Sequence, residues 1–260
     1  MDEKKDVIDA RFIVTKIHNE IGVLSSYLKF GHETFQKLYQ SIDNELDENI
    51  LKIRQLENIP DEVSNKEILL EERGIEFVYD MSFYASREHE KIFYATIVIM
   101  LYSCIERGLK ELCGMQREAV TNLLFQAREI LDYKLNCKIN AAIWKELKCI
   151  RDIRNIIVHS GLSLQIIDIN DSGGLLIDEK PEIIEYLKSK HIYEEPYISI
   201  HLNYCKYVID FANKFFLEIR TLYRNKKDDE GKGSHNQLPV WLLETLKKTP
   251  KDDENQNDNN

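Results

Sequence analysis

The sequence predicts a mainly α-helical bundle with one small β-hairpin inserted before its last helix. Three observations predict it. Glycine (10) and proline (5) are scarce among 260 residues, below the roughly 7% and 5% of average usage, which favours long uninterrupted helices over turn-rich sheets. Apolar residues recur at three- and four-residue steps through most of the chain, the spacing of a helix face. A composition of 43% hydrophobic and 31% charged residues is that of a soluble chain long enough to bury a sizeable core.

The elements follow in order. From Val7 to Leu56 the three- and four-residue spacing runs without a proline until Pro60, so the stretch reads as one long helix or two joined near Gly31. "PDEVSNKEILL" restarts a helix, with acidic residues behind the proline as a helix N-terminus prefers. Helical spacing continues from about Glu62 to Tyr84, and again through "REHEKIFYATIVIMLYSCIERGLKELCGM" to about Met115. This second stretch is apolar on most sides and belongs at the bundle centre. "TNLLFQAREILDYKL" predicts a shorter helix, and "NAAIWKELKCIRDIRNIIVHS" a clear one, with Asn140 as its cap and Gly161 just beyond its end. The period then changes: "LSLQIIDI" and "LLIDE" flank "NDSGG" as a small β-hairpin. "PEIIEYLKSK" is a short helix opening at Pro181, "PYISI" an extended piece, and residues 201–224 a final amphipathic helix.

This pattern divides the chain into long N-terminal helices (1–84) that pack on or extend the bundle, a helical domain (85–224) and a polar tail (225–260). Most of the tail is too polar to bury anything. Within it "LPVWLLETLKK" (238–248) is an apolar island around Trp241, a docking segment for the chain's own body or for a partner protein. No internal repeat or heptad array is legible.

Several function classes are disfavoured. A net charge of −10 argues against a protein that coats nucleic acid nonspecifically. Five cysteines (Cys104, Cys113, Cys137, Cys149, Cys205) form no CxxC pair, which points away from disulfides and zinc and towards a reducing cytoplasm. The longest uncharged run, residues 92–105, falls short of the roughly 20 that span a bilayer, so no membrane association is expected. His89–Glu90 lacks the second histidine of a zinc-protease helix, His191 and His201 stand alone, and no phosphate-loop, dinucleotide or nucleophile-elbow motif occurs. Neither metal nor cofactor is expected.

The stretch "RDIRNIIVHSG" (151–161) carries the chemistry. Between Lys134 and Arg154 six basic residues (Lys134, Lys138, Lys145, Lys148, Arg151, Arg154) face two acidic ones (Glu146, Asp152), a strip suited to phosphate. On a helical wheel Ile143, Leu147, Ile150, Ile153, Ile156 and Ile157 share one apolar face, and Arg154 falls inside that arc. A guanidinium there is costly unless an anion or a wet groove meets it, so its partner is expected outside its own subunit. Arg151, Asn155 and His159, spaced i, i+4 and i+8, line the adjoining polar edge.

With its flanking helices in order over roughly residues 85–224, "RNIIVH" resembles the R-x4-H signature of the HEPN superfamily. The resemblance implies a HEPN-like helical bundle and a metal-independent endoribonuclease, a toxin or phage-defence effector. Its homodimer would set two motifs across a two-fold axis to cut RNA. Arg154 then corresponds to the motif arginine, Asn155 to its polar neighbour and His159 to the motif histidine; Glu106 of "IERGLK" resembles an acidic residue of the preceding helix. Histidine suits proton transfer near neutral pH, and arginine's planar fork suits a phosphorane. Lys148 and Arg151 would hold flanking phosphates. An antitoxin or other partner would engage the segment around Trp241. Two rival readings remain: a catalytically silent scaffold of the same kind, and a helical adaptor assembled through its N-terminal helices.

Overall fold

A computed structural model describes residues 10–56, 65–115, 122–135, 139–161, 181–194 and 197–229. In chain order these form α1 (Ala10–Leu56), α2 (Asn65–Cys113), α3 (Leu123–Leu135), α4 (Ala141–Ser160), α5 (Pro181–Ser189), β1 (Tyr193–Glu194), β2 (Tyr197–Ile198) and α6 (Leu202–Asp229). The protein is mainly α, with a two-stranded antiparallel ribbon pairing Tyr193 with Ile198 just before the last helix. The hairpin expected in "LSLQIIDI…LLIDE" and the segment around Trp241 lie outside the described residues.

α1 is one helix and not two joined near Gly31. The missing side chain there serves packing: the Phe93 ring of α2 occupies the space a Cβ would need. α2 is likewise continuous through residues 84–86, where two stretches were expected. Ser86 is absorbed because its hydroxyl donates to the Ser82 carbonyl one turn back, at 2.8 Å. The division at residue 84 therefore falls inside a single helix, and Ile13–Leu28 of α1 share one core with α2 and α6. α6 in turn runs to Asp229, past the expected end of the helical domain, since Asn225–Asp229 contain no breaker and simply extend a helix already anchored in the core.

α2 is the central helix and touches α1, α3, α4 and α6. Its Ile97, Val98, Leu101, Ile105 and Leu109 are fully buried. Within Glu71–Cys113 an 18-residue window has a mean hydropathy of 1.5, enough by length and composition to cross a membrane, and half of that window is buried inside the bundle. Gly108 sets the closest approach, because Ile17 of α1 and Phe216 of α6 both press on the position of its absent side chain. The Cys205 thiol reaches the Tyr94 carbonyl at 3.5 Å, and His18 meets Asn213 at 2.9 Å. α6 therefore runs parallel to the second half of α2 and antiparallel to α1.

Beyond Gly31 and Phe93 the two long helices leave the core as an antiparallel arm. On α1 its seam is Phe35, Tyr39, Ile42, Leu46, Asn49 and Ile53, steps of three and four that amount to the heptad-like array the sequence conceals. Tyr39 donates to Glu90 at 2.7 Å, Tyr79 to Asp43 at 2.9 Å, and Tyr79 stacks on Phe83 at 5.8 Å. The apolar packing is thin: α1 has no buried residue from 32 to 52, nor α2 from 71 to 85.

Two outcomes follow from this packing. Gly108→Ala should destabilise the fold by about 1–3 kcal/mol through overpacking, despite alanine's helix preference, as read by urea unfolding. Burial raises the phenol pKa values of Tyr39, Tyr94, Tyr102, Tyr186, Tyr204 and Tyr207 above their ordinary value. The folded state thus keeps protons that the unfolded chain releases near pH 10, and the associated stability is complete below that pH and lost above it. The unfolding temperature should fall as pH rises from about 9 to 11.

Candidate active site

α4 is positioned by its apolar face and by both its ends. Trp144, Leu147, Ile150, Ile153, Ile156 and Ile157 are buried, and Trp144 meets Phe215 of α6 edge-on with centroids 5.7 Å apart. At the start of the helix the Asn140 side chain accepts from the Ala142 N–H at 2.9 Å. At its end Gly161 adopts the left-handed conformation (φ 58°) and returns its N–H to the Ile157 carbonyl, a geometry that favours glycine. Asn140 and Gly161 thus act as the sequence predicts.

A polar knot locks the first half of α4 to its neighbours. The half-buried Glu146 carboxylate accepts from the hydroxyls of Tyr186 on α5 and Tyr207 on α6. It also pairs with Lys190 at 3.4 Å, whose ammonium sits 3.6 Å from the Tyr207 ring centroid. Glu146, counted from sequence against the basic strip, is a tether.

The second half carries the motif. Arg154 and Asn155 are half-buried, and the arginine Nη1 donates to Asn155 Oδ1 at 2.9 Å. The guanidinium thus has a partner within its own chain, contrary to the expectation that it lies wholly outside. The neighbouring amide is near enough to take one nitrogen. The buried Nε, however, has no hydrogen-bond partner among the described residues. His159 is exposed on the last turn of α4.

The remaining predicted groups are engaged. Arg151 directs both Nε (3.0 Å) and Nη2 (2.8 Å) to Asp152 Oδ1, and that carboxylate is 2% exposed. Lys148 pairs with Glu182 of α5 at 3.1 Å across solvent. Glu106 pairs with Lys110 one turn along α2 at 3.2 Å.

Tyr102 is the residue that sequence reasoning missed. It is buried on α2, and its phenol is pushed up first by desolvation and then by Glu106, against the opposing pull of Arg151 and Arg154. Tyr102 and Glu106 therefore share one electrostatic neighbourhood with Arg151, Asp152 and Arg154. The signal was present in the one-turn spacing of Tyr102 and Glu106 on a helix expected to pass through the core. The arrangement holds a half-buried guanidinium oriented by Asn155 and, a turn and a half further on, an exposed imidazole. Among the described residues no three His, Cys, Asp or Glu side chains form a metal-binding group.

Compared with known protein families, with curated proteins and with solved structures, the chain matches none.

Removing Arg151 strands a buried carboxylate, whereas removing Lys148 breaks an exposed pair. Arg151→Ala should cost about 3 kcal/mol or more and Lys148→Ala less than about 1 kcal/mol, compared by urea unfolding. Equal costs would show that Asp152 does not depend on Arg151.

Proposed function

We propose that this protein is a metal-independent endoribonuclease of the HEPN type, acting as a homodimer. One observation carries the reading. Arg154 is half-buried and held by Asn155, its Nε lacks an acceptor among the described residues, and an exposed His159 follows on the same helix. A half-buried guanidinium is a fixed, weakly hydrated cation, and phosphate is the anion that its fork geometry fits best.

The chemistry follows from these groups. One His159 imidazole takes the proton of a ribose 2′-hydroxyl, and the freed oxygen attacks the adjacent phosphorus. Arg154 neutralises the developing phosphorane, a contribution of the order of 3 kcal/mol for such donors. The bond to the 5′-oxygen breaks, and the partner's His159 supplies that oxygen's proton, leaving a 2′,3′-cyclic phosphate. Asn155 acts as a positioning residue for Arg154. Tyr102 and Glu106 set the field behind the arginine, and Lys148 exchanges Glu182 for a flanking phosphate. Arg151 contributes through Asp152 to the stability of α4, which refines the phosphate-holding role expected of it.

The same reading makes the protein a cytoplasmic toxin or defence effector. A second reading, a silent helical scaffold, is favoured by the apolar side chains that α1 leaves exposed, Phe12 (71%), Val23 (68%) and Phe30 (67%).

The test is incubation of the purified protein with total RNA in EDTA, beside Arg154→Ala and His159→Ala. Fragments ending in 2′,3′-cyclic phosphate should appear with the parent protein and fall at least about a hundredfold in each variant, the scale of a lost acid–base or oxyanion group. Cleavage undiminished in both variants, or absent from the parent, sinks the reading and leaves the scaffold.

A further inference from the structure

The polar knot on Glu146 has a chemistry of its own. Three donors converge on one carboxylate oxygen, Glu146 Oε1: the hydroxyls of Tyr186 and Tyr207 and the ammonium of Lys190. The two phenols serve twice, because their rings also face the cation. Lys190 Nζ lies 3.6 Å from the Tyr207 ring centroid and 5.1 Å from that of Tyr186. Tyr204 stacks on Tyr207 at 6.2 Å and steadies the nearer ring. Two aromatic faces and a carboxylate around one ammonium are the elements of an alkylammonium receptor.

Charge pairing alone does not require this arrangement. A solvent-exposed lysine pairs with glutamate over many geometries and gains little. Here the Lys190 and Glu146 side chains are only 21% and 22% exposed, and a desolvated cation over an aromatic face is held more firmly than one in water.

The backbone beside Lys190 is strained. α5 ends in a turn in which the Ile192 N–H returns to the Leu187 carbonyl at 3.0 Å and the His191 N–H to the Lys188 carbonyl at 3.1 Å, with His191 at φ 56°. That left-handed conformation suits glycine and costs an ordinary side chain energy. Ile192 is fully buried, and its carbonyl accepts from the Ser199 N–H at 3.0 Å, so the turn and the ribbon are set together. Strain of this kind persists only under restraint from its surroundings. The boxed ammonium is the restraint next to it.

We infer that Glu146, Tyr186 and Tyr207 form a binding site for a primary alkylammonium ion, with Lys190 as its tethered ligand, and that its occupancy latches α5 and the ribbon to α4 and α6. The site stands apart from Arg154 and His159, which lie in the other half of α4. A change that removes the Lys190 charge, acylation included, opens the latch.

The test empties the site and refills it. Lys190→Ala removes the atoms of propylammonium. Hydrogen exchange at the Ile192 and Ser199 amides should quicken at least about tenfold in this variant. Added propylammonium should restore protection saturably, whereas 1-propanol, of the same shape without the charge, and sodium chloride at equal ionic strength should not. The rescue should survive Tyr207→Phe added to Lys190→Ala, which keeps the ring, and be lost with Tyr207→Leu or Glu146→Gln. In the parent protein the Lys190 ε-methylene protons should resonate upfield of those of other lysines because of the Tyr207 ring, a readout that needs no variant to fold. Unchanged exchange in Lys190→Ala, rescue by propanol or sodium, rescue indifferent to Tyr207→Leu, or an unshifted methylene overturns the inference.

Discussion

The approach of α1, α2 and α6 at Gly108 is the constraint on which the rest of the structure depends. Ile17 and Phe216 meet over a residue with no side chain, so three backbones come close enough to bury Ile97, Leu101, Ile105 and Leu109 completely. Burial at roughly 25 cal/mol per Å² is the main source of stability available to a chain with so few sheet hydrogen bonds. Every other element is placed relative to this junction: α4 packs Trp144 on α6, the arm leaves in one direction, and the end of α6 leaves in the other.

The candidate site depends on that junction through α4. Its first half is fastened by Glu146 between two tyrosines and Lys190, and in its second half Arg151 neutralises the buried Asp152 of the same helix. Glu146, Arg151 and Asp152 of α4 are thus engaged within the fold, and Arg154 and His159 are not drawn into these pairs. A site built on a rigid helix holds its groups more closely than one built on a loop. The basic strip that the sequence displays is accordingly less basic in space, with Arg151 and Lys148 each facing a carboxylate.

Much of this was legible beforehand, and the exceptions have physical reasons. Asn140 and Gly161 bracket α4 because capping is local chemistry, readable from adjacent residues. Pro181 opens α5 for the same reason. Gly31 left one helix or two open because a glycine in a helix reads equally as a break or as a close contact, and Phe93, 62 positions away, decides for one. The arm's seam was hidden because Tyr39, Asn49, Tyr79 and Ser86 occupy positions that an apolar-only periodicity skips. Asp152 was counted from sequence against the basic strip, and only the packing shows its carboxylate buried beside Arg151. The one-turn spacing of Tyr102 and Glu106 was readable, but that this turn of α2 lies near Arg151 and Arg154 follows only from the packing of α2 against α4.

The bond between His18 and Asn213 joins residues 195 positions apart, and this separation has a consequence for the order in which the molecule comes into being. During synthesis α1 and α2 emerge early and can pair as neighbours, but the apolar side of α2 that faces α6 stays uncovered until nearly the whole chain has left the ribosome. Closure of such non-local contacts is intrinsically late and slow. α4 packs chiefly on α2, but its first half gains the Phe215 ring and the Tyr207 hydroxyl only with α6. An incomplete chain therefore lacks the contacts that hold the first half of α4 until translation has passed α6.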